Sequence, residues 1–109
     1  MDATPIPDAI RTFVDATNAG DTDAFVATFA PDARLDDWGR VFTGHDGIRG
    51  WNRTDNIGVR SHFELLDIRA ASEADAYLVT LRVTGDGYNG TGPMTFVLRD
   101  GLIADLRIA

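Results

Sequence analysis

Asp36 and Asp37 stand side by side immediately before Trp38, and this pair of carboxylates against a large aromatic is where chemistry is most readily placed. A carboxylate drawn out of water into an apolar pocket gains the basicity a general base needs. Neighbouring residues of a strand point to opposite faces, so only one of the two aspartates looks inward. Asp37 is taken as that one; an ion pair with Arg34 or Arg40 is its competing, structural role. His62, at the start of a later apolar stretch, is the second catalytic candidate, because imidazole exchanges protons near neutral pH. Its structural alternative is a polar residue at a sheet rim. His45 falls in a loop ahead of a helix and is set aside. The histidines show neither HxH nor HxxxH spacing, so no metal is expected.

The elements that must hold these groups follow from periodicity. Ile10, Phe13 and Val14 make one helical stripe that starts after Pro7 and stops at Asn18-Ala19-Gly20. Asp21 caps a second helix with Phe25, Val26 and Phe29 inward, closed by Pro31. Residues 33–38 read as a short strand, Gly39 as a turn, and residues 47–53 as a third helix with Ile48 and Trp51 on one face. From residue 59 the period becomes strand-like. Runs at 59–70, 76–85, 91–99 and 102–108 are joined by short connections, the last of them Asp100-Gly101, a strong hairpin signal. In the first run the apolar phase shifts between Phe63/Leu65 and Leu66/Ile68, which predicts a bulge. In the last, Leu102, Ala104, Leu106 and Ile108 share the inward phase while Asp105 faces away. Helices followed by an antiparallel meander give an α+β fold: a single domain over residues 1–109, residues 1–7 being a loose leader, with a curved sheet wrapped cone-like around three N-terminal helices.

The run NAGDTDAFVATFAPDARLDDWG followed by FTGHDGIRGW resembles the NTF2-like superfamily, in its SnoaL-like and ketosteroid-isomerase-like branches. The resemblance covers essentially the whole chain in order and implies a cone-shaped α+β roll, usually dimeric, with an apolar pocket between helices and concave sheet. Carried over by position, the isomerase general base falls on Asp37. The oxyanion tyrosine falls on Phe13, which has no hydroxyl, and the second oxyanion donor falls on or near Thr95, a weaker donor. Losing one such donor costs about 3–4 kcal/mol of barrier, which counts against steroid isomerisation by that route. Several SnoaL-like members also carry a histidine at the position of His62.

Apolar pockets are walled by core-type side chains, so Phe13, Trp38, Trp51, Tyr77 and Leu106, with Thr95, form the expected substrate-binding set. Tyr88, in a glycine-rich hairpin, is either a lid or a turn residue.

Composition narrows the partners. The chain has no cysteine, and all ten basic residues are arginine, which removes thiol chemistry, disulfides and a lysine Schiff base. A net charge of −7 without a basic stripe argues against nucleic acid and anionic membranes. No run is long and apolar enough to span a bilayer, and a cytoplasmic protein is expected. Strands apolar in both phases point to a homodimer through the outer sheet face. The leading expectation is a hydrophobic small-molecule pocket protein performing cofactor-free proton transfer on a carbonyl compound, with Asp37 as base and His62 or Thr95 supporting the enolate. The alternative is a non-catalytic ligand-binding or dimerisation module with Asp37 salt-bridged. An epoxide-hydrolase-like site would need two acids meeting one arginine, for which Arg82 and Arg99 are available on strands.

Overall fold

The computed structural model describes residues 4–108. Residues 1–3 of the expected leader lie outside the described residues; residues 4–7 have no regular structure, yet Ile6 packs on the core. Helix α1 (Asp8–Ala19) buries Ile10, Phe13 and Ala16, and Gly20 closes it at φ 71°. That positive φ is cheap only for glycine, and it lets Asp21 donate its N–H back to the Ala16 carbonyl at 2.9 Å. Asn18, one turn earlier, clamps the helix to the sheet. Its Nδ2 donates to the Phe63 carbonyl at 2.9 Å and its Oδ1 accepts the Phe63 N–H at 2.7 Å. Asp21 then caps α2 (Thr22–Ala27), accepting the Ala24 N–H at 3.1 Å.

Helix α2 is shorter than its pattern predicts, because β1 (Phe29–Asp37) begins at Phe29, before Pro31. The ladder with the last strand, β6 (Leu102–Ile108), is irregular between Phe29↔Ile103 and Arg34↔Asp105, so Pro31 sits where no ladder N–H is required. Phe29 is therefore a strand residue, still inward and buried. A two-residue turn, Trp38-Gly39, leads into β2 (Arg40–Thr43), a strand the sequence reading passed over. Helix α3 (Gly44–Asp55) starts three residues earlier than predicted, so His45 lies in its first turn, with Nε2 2.8 Å from the Phe29 carbonyl. A single 3-10 turn (Ile57–Val59) precedes β3 (His62–Ala70), β4 (Ala76–Thr84) and β5 (Gly90–Arg99).

The six strands form one curved sheet in the order β2-β1-β6-β5-β4-β3. All pairings are antiparallel except β1 with β6, which the whole intervening chain connects in parallel. The predicted bulge in β3 falls between Leu65 and Asp67. A second, unforeseen, lies between Val97 and Leu98 opposite Ala104, so the inward set of β6 is Ile103, Leu106 and Ile108 and not the unbroken alternation from Leu102.

Phe13 sits at the centre of the core, its ring 5.0–6.2 Å from those of Phe25, Phe29, Phe63 and Phe96. The outer face, expected to be apolar enough for a homodimer, sets Leu66, Leu78 and Val97 among ion pairs: Arg82–Glu64 at 2.6 Å, Arg107–Glu73 at 3.1 Å and Arg34–Asp105 at 3.8 Å. Among the described residues no helix is long and apolar enough to cross a membrane.

Candidate functional site

The site grows out of the end of β1. Leu35 is fully buried, so strand alternation turns Asp37 to the same inner face and sends Asp36 outward. Asp36 is used in the turn itself, where its Oδ1 accepts the Gly39 N–H at 2.8 Å. The turn has φ 54° at Trp38 and 91° at Gly39, the geometry that joins two twisted strands by two residues. Asn or Asp usually fills its first position. A tryptophan there sits in a strained backbone region, and this one is 80% exposed, so the strain is not offset by burial.

Asp37, Trp38 and Trp51 line one cavity of about 100 Å³, which lies between α3, the inner sheet face and the β4–β5 hairpin. Phe63, Leu81, Val83 and Met94 supply apolar wall; Asp55, Asn56 and Ser61 form its polar side. Tyr88, 63% exposed on the β4–β5 hairpin, also lines the cavity, so it shares the opening with Trp38.

Within the cavity Asp37 is held by one oxygen. Its Oδ2 accepts the Trp51 Nε1–H at 3.0 Å and an Arg40 N–H at 2.6 Å. Its Oδ1 accepts no hydrogen bond from the described residues. Arg40 reaches on to Asp55 at 2.9 Å, and the two acids hold its guanidinium above the ordinary arginine range, Asp55 contributing most. Partial burial pulls the Asp55 carboxyl up, but the hydrogen bonds from Arg40 and Thr54 and the Arg40 charge outweigh it, and the net is a carboxyl below its usual value. Two acids thus meet one arginine at Arg40. Arg82 and Arg99, the arginines expected for such a set, each pair with a single acid, Glu64 and Asp32.

Three of the eight expected site residues therefore come together: Asp37, Trp38 and Trp51. Phe13 and Leu106 are fully buried in the core and do not line the cavity, because the aromatic cluster fills the middle of the cone. Tyr77 is half-buried against that core, also away from the cavity. His62 alternates with inward Phe63, so it is exposed on the outer face beside Thr84. Thr95 alternates with buried Met94 and Phe96 and pairs with exposed Arg107, again on the outer face. Neither can support an enolate formed at Asp37. The residues the sequence reading missed are Asp55, Asn56 and Ser61; Arg40 was named there only as an ion-pair partner of Asp37, a pairing the structure has at 2.6 Å. The one signal for them was Asn52 and Asn56, four apart at the end of the helix that carries Trp51. Among the described residues no group of three or more His, Asp and Glu side chains converges as a metal site does.

A cone of sheet around three helices with an apolar cavity at its open end is an NTF2-like architecture. The SnoaL-like domain profile matches residues 10–106, and the chain belongs to that family. A candidate polyketide cyclase from Sinorhizobium meliloti is 33% identical over 95% of both chains, with a TM-score of 0.85. A Mycobacterium tuberculosis protein solved with estradiol-17β-hemisuccinate is 18% identical, covering 91% of this chain and 88% of its own, with a TM-score of 0.79. The Δ5-3-ketosteroid isomerase of a Mycobacterium species is 20% identical over 91% and 87%, with a TM-score of 0.77. No curated protein matches the chain.

Proposed function

We propose that this SnoaL-like domain binds a compact apolar carbonyl compound and moves a proton on it without a cofactor, with Asp37 as the base. The observation that carries this reading is the state of Asp37. It lines an apolar-walled cavity with one oxygen fixed by Trp51 and Arg40 and the other free to take a proton. Fixing one oxygen removes rotational freedom and aims the other, which is what positioning contributes to proton abstraction. Hydroxyl donors for the developing enolate come from Ser61 and Tyr88, which line the cavity, in place of His62 and Thr95. The cavity is smaller than the roughly 150 Å³ space that holds benzene, so one ring fills it and anything larger extends under Trp38 and Tyr88.

Deuterium wash-in next to the carbonyl of a panel of cyclic ketones, followed by NMR, tests this. Asp37→Asn is expected to slow exchange by about 10²–10⁴-fold while ketone binding survives. Binding with unchanged exchange overturns the catalytic role.

A second reading rests on the same salt bridge. Arg40 neutralises Asp37 and the cavity is small, as a non-catalytic binding module requires. Under that reading the panel binds and neither protein exchanges. A cyclic epoxide in the same panel reads out whether the Asp37–Arg40–Asp55 set directs a water instead.

A further inference from the structure

A glycine inside a strand needs a reason, because it forgoes side-chain packing and loses more backbone freedom on folding than any other residue. Gly92, within β5, is on the inner face: it alternates with buried Met94 and Phe96 and stands opposite fully buried Leu81 of β4. Its φ is not positive, and a Cβ built on it meets nothing within 4 Å. Pro93, next in the chain, favours the extended backbone that any residue adopts. Neither conformation nor crowding calls for glycine here.

Elsewhere in the chain such a call is visible. Apart from Gly50 in α3, every other glycine has a positive φ or sits where a Cβ would press on a neighbour. Gly90, two residues earlier in the same phase, shows the second case: a Cβ there would strike the Tyr88 ring and hydroxyl, so the phenol lies down on bare strand. Gly92 lines the cavity and Gly50 does not. The missing side chain at Gly92 therefore leaves a gap in the inner sheet face that opens on the cavity. Met94 borders the gap along the strand, Leu81 borders it across the ladder, and Tyr88 borders it above Gly90.

We propose that Gly92 is a specificity-determining residue: an apolar ring of the ligand lies against its backbone, in the space a side chain would fill. This deepens the reading of the cavity as a ligand site and rests on it, but does not depend on Asp37 acting as a base. Bare backbone within a strand lets another group approach closely, and a ring in an apolar gap strands no polar group. The ladder sets how long the ligand is. Asp37 pairs with Ile108, and Ile108 with Met94, so Asp37 and Gly92 are two strands and two residues apart. Strand spacing and rise put their Cα atoms roughly 12 Å from each other. A single ring against Asp37 does not reach Gly92, whereas two fused rings do. The ligand class is a fused bicyclic carbonyl compound, its carbonyl ring towards Asp37 and its second ring on Gly92.

Calorimetric affinities of cyclohexanone and 1-tetralone for the full chain test this, since the second is the first with a fused ring added. Wild type should prefer 1-tetralone. Gly92→Ala should weaken 1-tetralone about tenfold or more and cyclohexanone by less than about twofold, as one methyl group placed in a ring's space would do. The same variant should melt at or above the wild-type temperature. Gly50→Ala, which also adds a methyl group in open space, should leave both affinities unchanged. Loss of both ligands alike, or of neither, overturns the role of Gly92, and so does a Gly92→Ala protein that melts below wild type. Deuterium exchange beside the 1-tetralone carbonyl separates the two proposals. Selectivity lost in Gly92→Ala with exchange unchanged in Asp37→Asn keeps the ring site and removes the base; the converse keeps the base and removes the ring site. If neither ketone binds wild type, the cavity is not a site for such ligands and both proposals fall.

Discussion

Two hairpins of this molecule share one backbone and differ in what they are for. Trp38-Gly39 joins β1 to β2 and Asp100-Gly101 joins β5 to β6, each by two residues, with φ of 54° and 91° in the first and 54° and 79° in the second. Asp-Gly is the pairing that this geometry favours, and it serves only to reverse the chain. Trp-Gly is not. The tryptophan gains nothing from burial at 80% exposure, yet it stands beside Asp37 at the mouth of the cavity. The first turn thus carries a backbone cost at the cavity mouth that the second does not, which is what the proposed ligand contact of Trp38 would require.

The strongest way to test that contrast is through the residue that couples the first hairpin to the cavity. Trp51 is 4% exposed, stacks on Phe25 at 6.2 Å, and donates to Asp37. Trp51→Phe keeps most of the wall and removes the donor. A hydrogen bond to a charged acceptor contributes about 1.5–3 kcal/mol, so urea denaturation should show a loss in that range. A loss under about 0.5 kcal/mol would mean that Arg40 alone positions the carboxylate. Among the described residues the Asp100 side chain of the second hairpin makes no hydrogen bond, and Asp100→Asn should leave stability nearly unchanged.

A smaller effect, of opposite sign, belongs to the turn itself. Trp38→Asn relieves a bulky side chain from the left-handed region at little packing cost, and should raise stability by about 1 kcal/mol. Affinity for any ring compound that binds wild type should fall at the same time. A variant that is more stable and binds equally well would remove Trp38 from the site and leave its strain without a purpose.

The same two turns show what was legible in the sequence. Asp100-Gly101 was read directly, because its residues are those its geometry selects, and the Asn18, Gly20 and Asp21 punctuation of the helices was equally local. At the first turn only Gly39 was read, since Trp is not a turn residue, and the strand after it was missed because Arg40–Thr43 is too short to show a period. Phe29 and Pro31 were assigned to a helix end because proline in a strand is legible only once the irregular β1–β6 ladder is known. In the site, alternation placed Asp37 correctly, since one buried neighbour, Leu35, fixes its face. His62 and Thr95 were chosen by type and position, and strand phase sends both outward. Arg40, Asp55 and Asn56 come together only through tertiary packing of α3 on β1, which no local pattern records.

The smallest effect compares the two hairpins through acid. Each has an arginine bound to an aspartate: Arg40 to Asp55 beside the first, Arg99 to Asp32 beside the second. Asp32 is held below its usual value chiefly by the Arg99 hydrogen bond, against a small opposing burial. Asp55 reaches the same direction by a different balance, burial raising it and the Arg40 and Thr54 bonds prevailing. A carboxyl depressed in the folded state stabilises fully above its unfolded value of about 3.9, and that stabilisation is lost as pH falls through the lower folded value. Thermal midpoints measured between about pH 6 and pH 2.5 should therefore drop at the acid end for wild type, and less steeply for Asp55→Asn and for Asp32→Asn. Asp32 is exposed and Asp55 only partly buried, so solvent screening keeps each change modest. The hairpins part company in binding. Protonating Asp55 frees Arg40 to bear on Asp37 alone, so ring-compound affinity should follow the acid step in wild type and become flatter in Asp55→Asn. Asp32→Asn should leave that binding profile unaltered, since neither Asp32 nor the Asp100-Gly101 turn lines the cavity. If both substitutions flatten it equally, acid acts on the fold as a whole, and the first hairpin holds no privileged connection to the site.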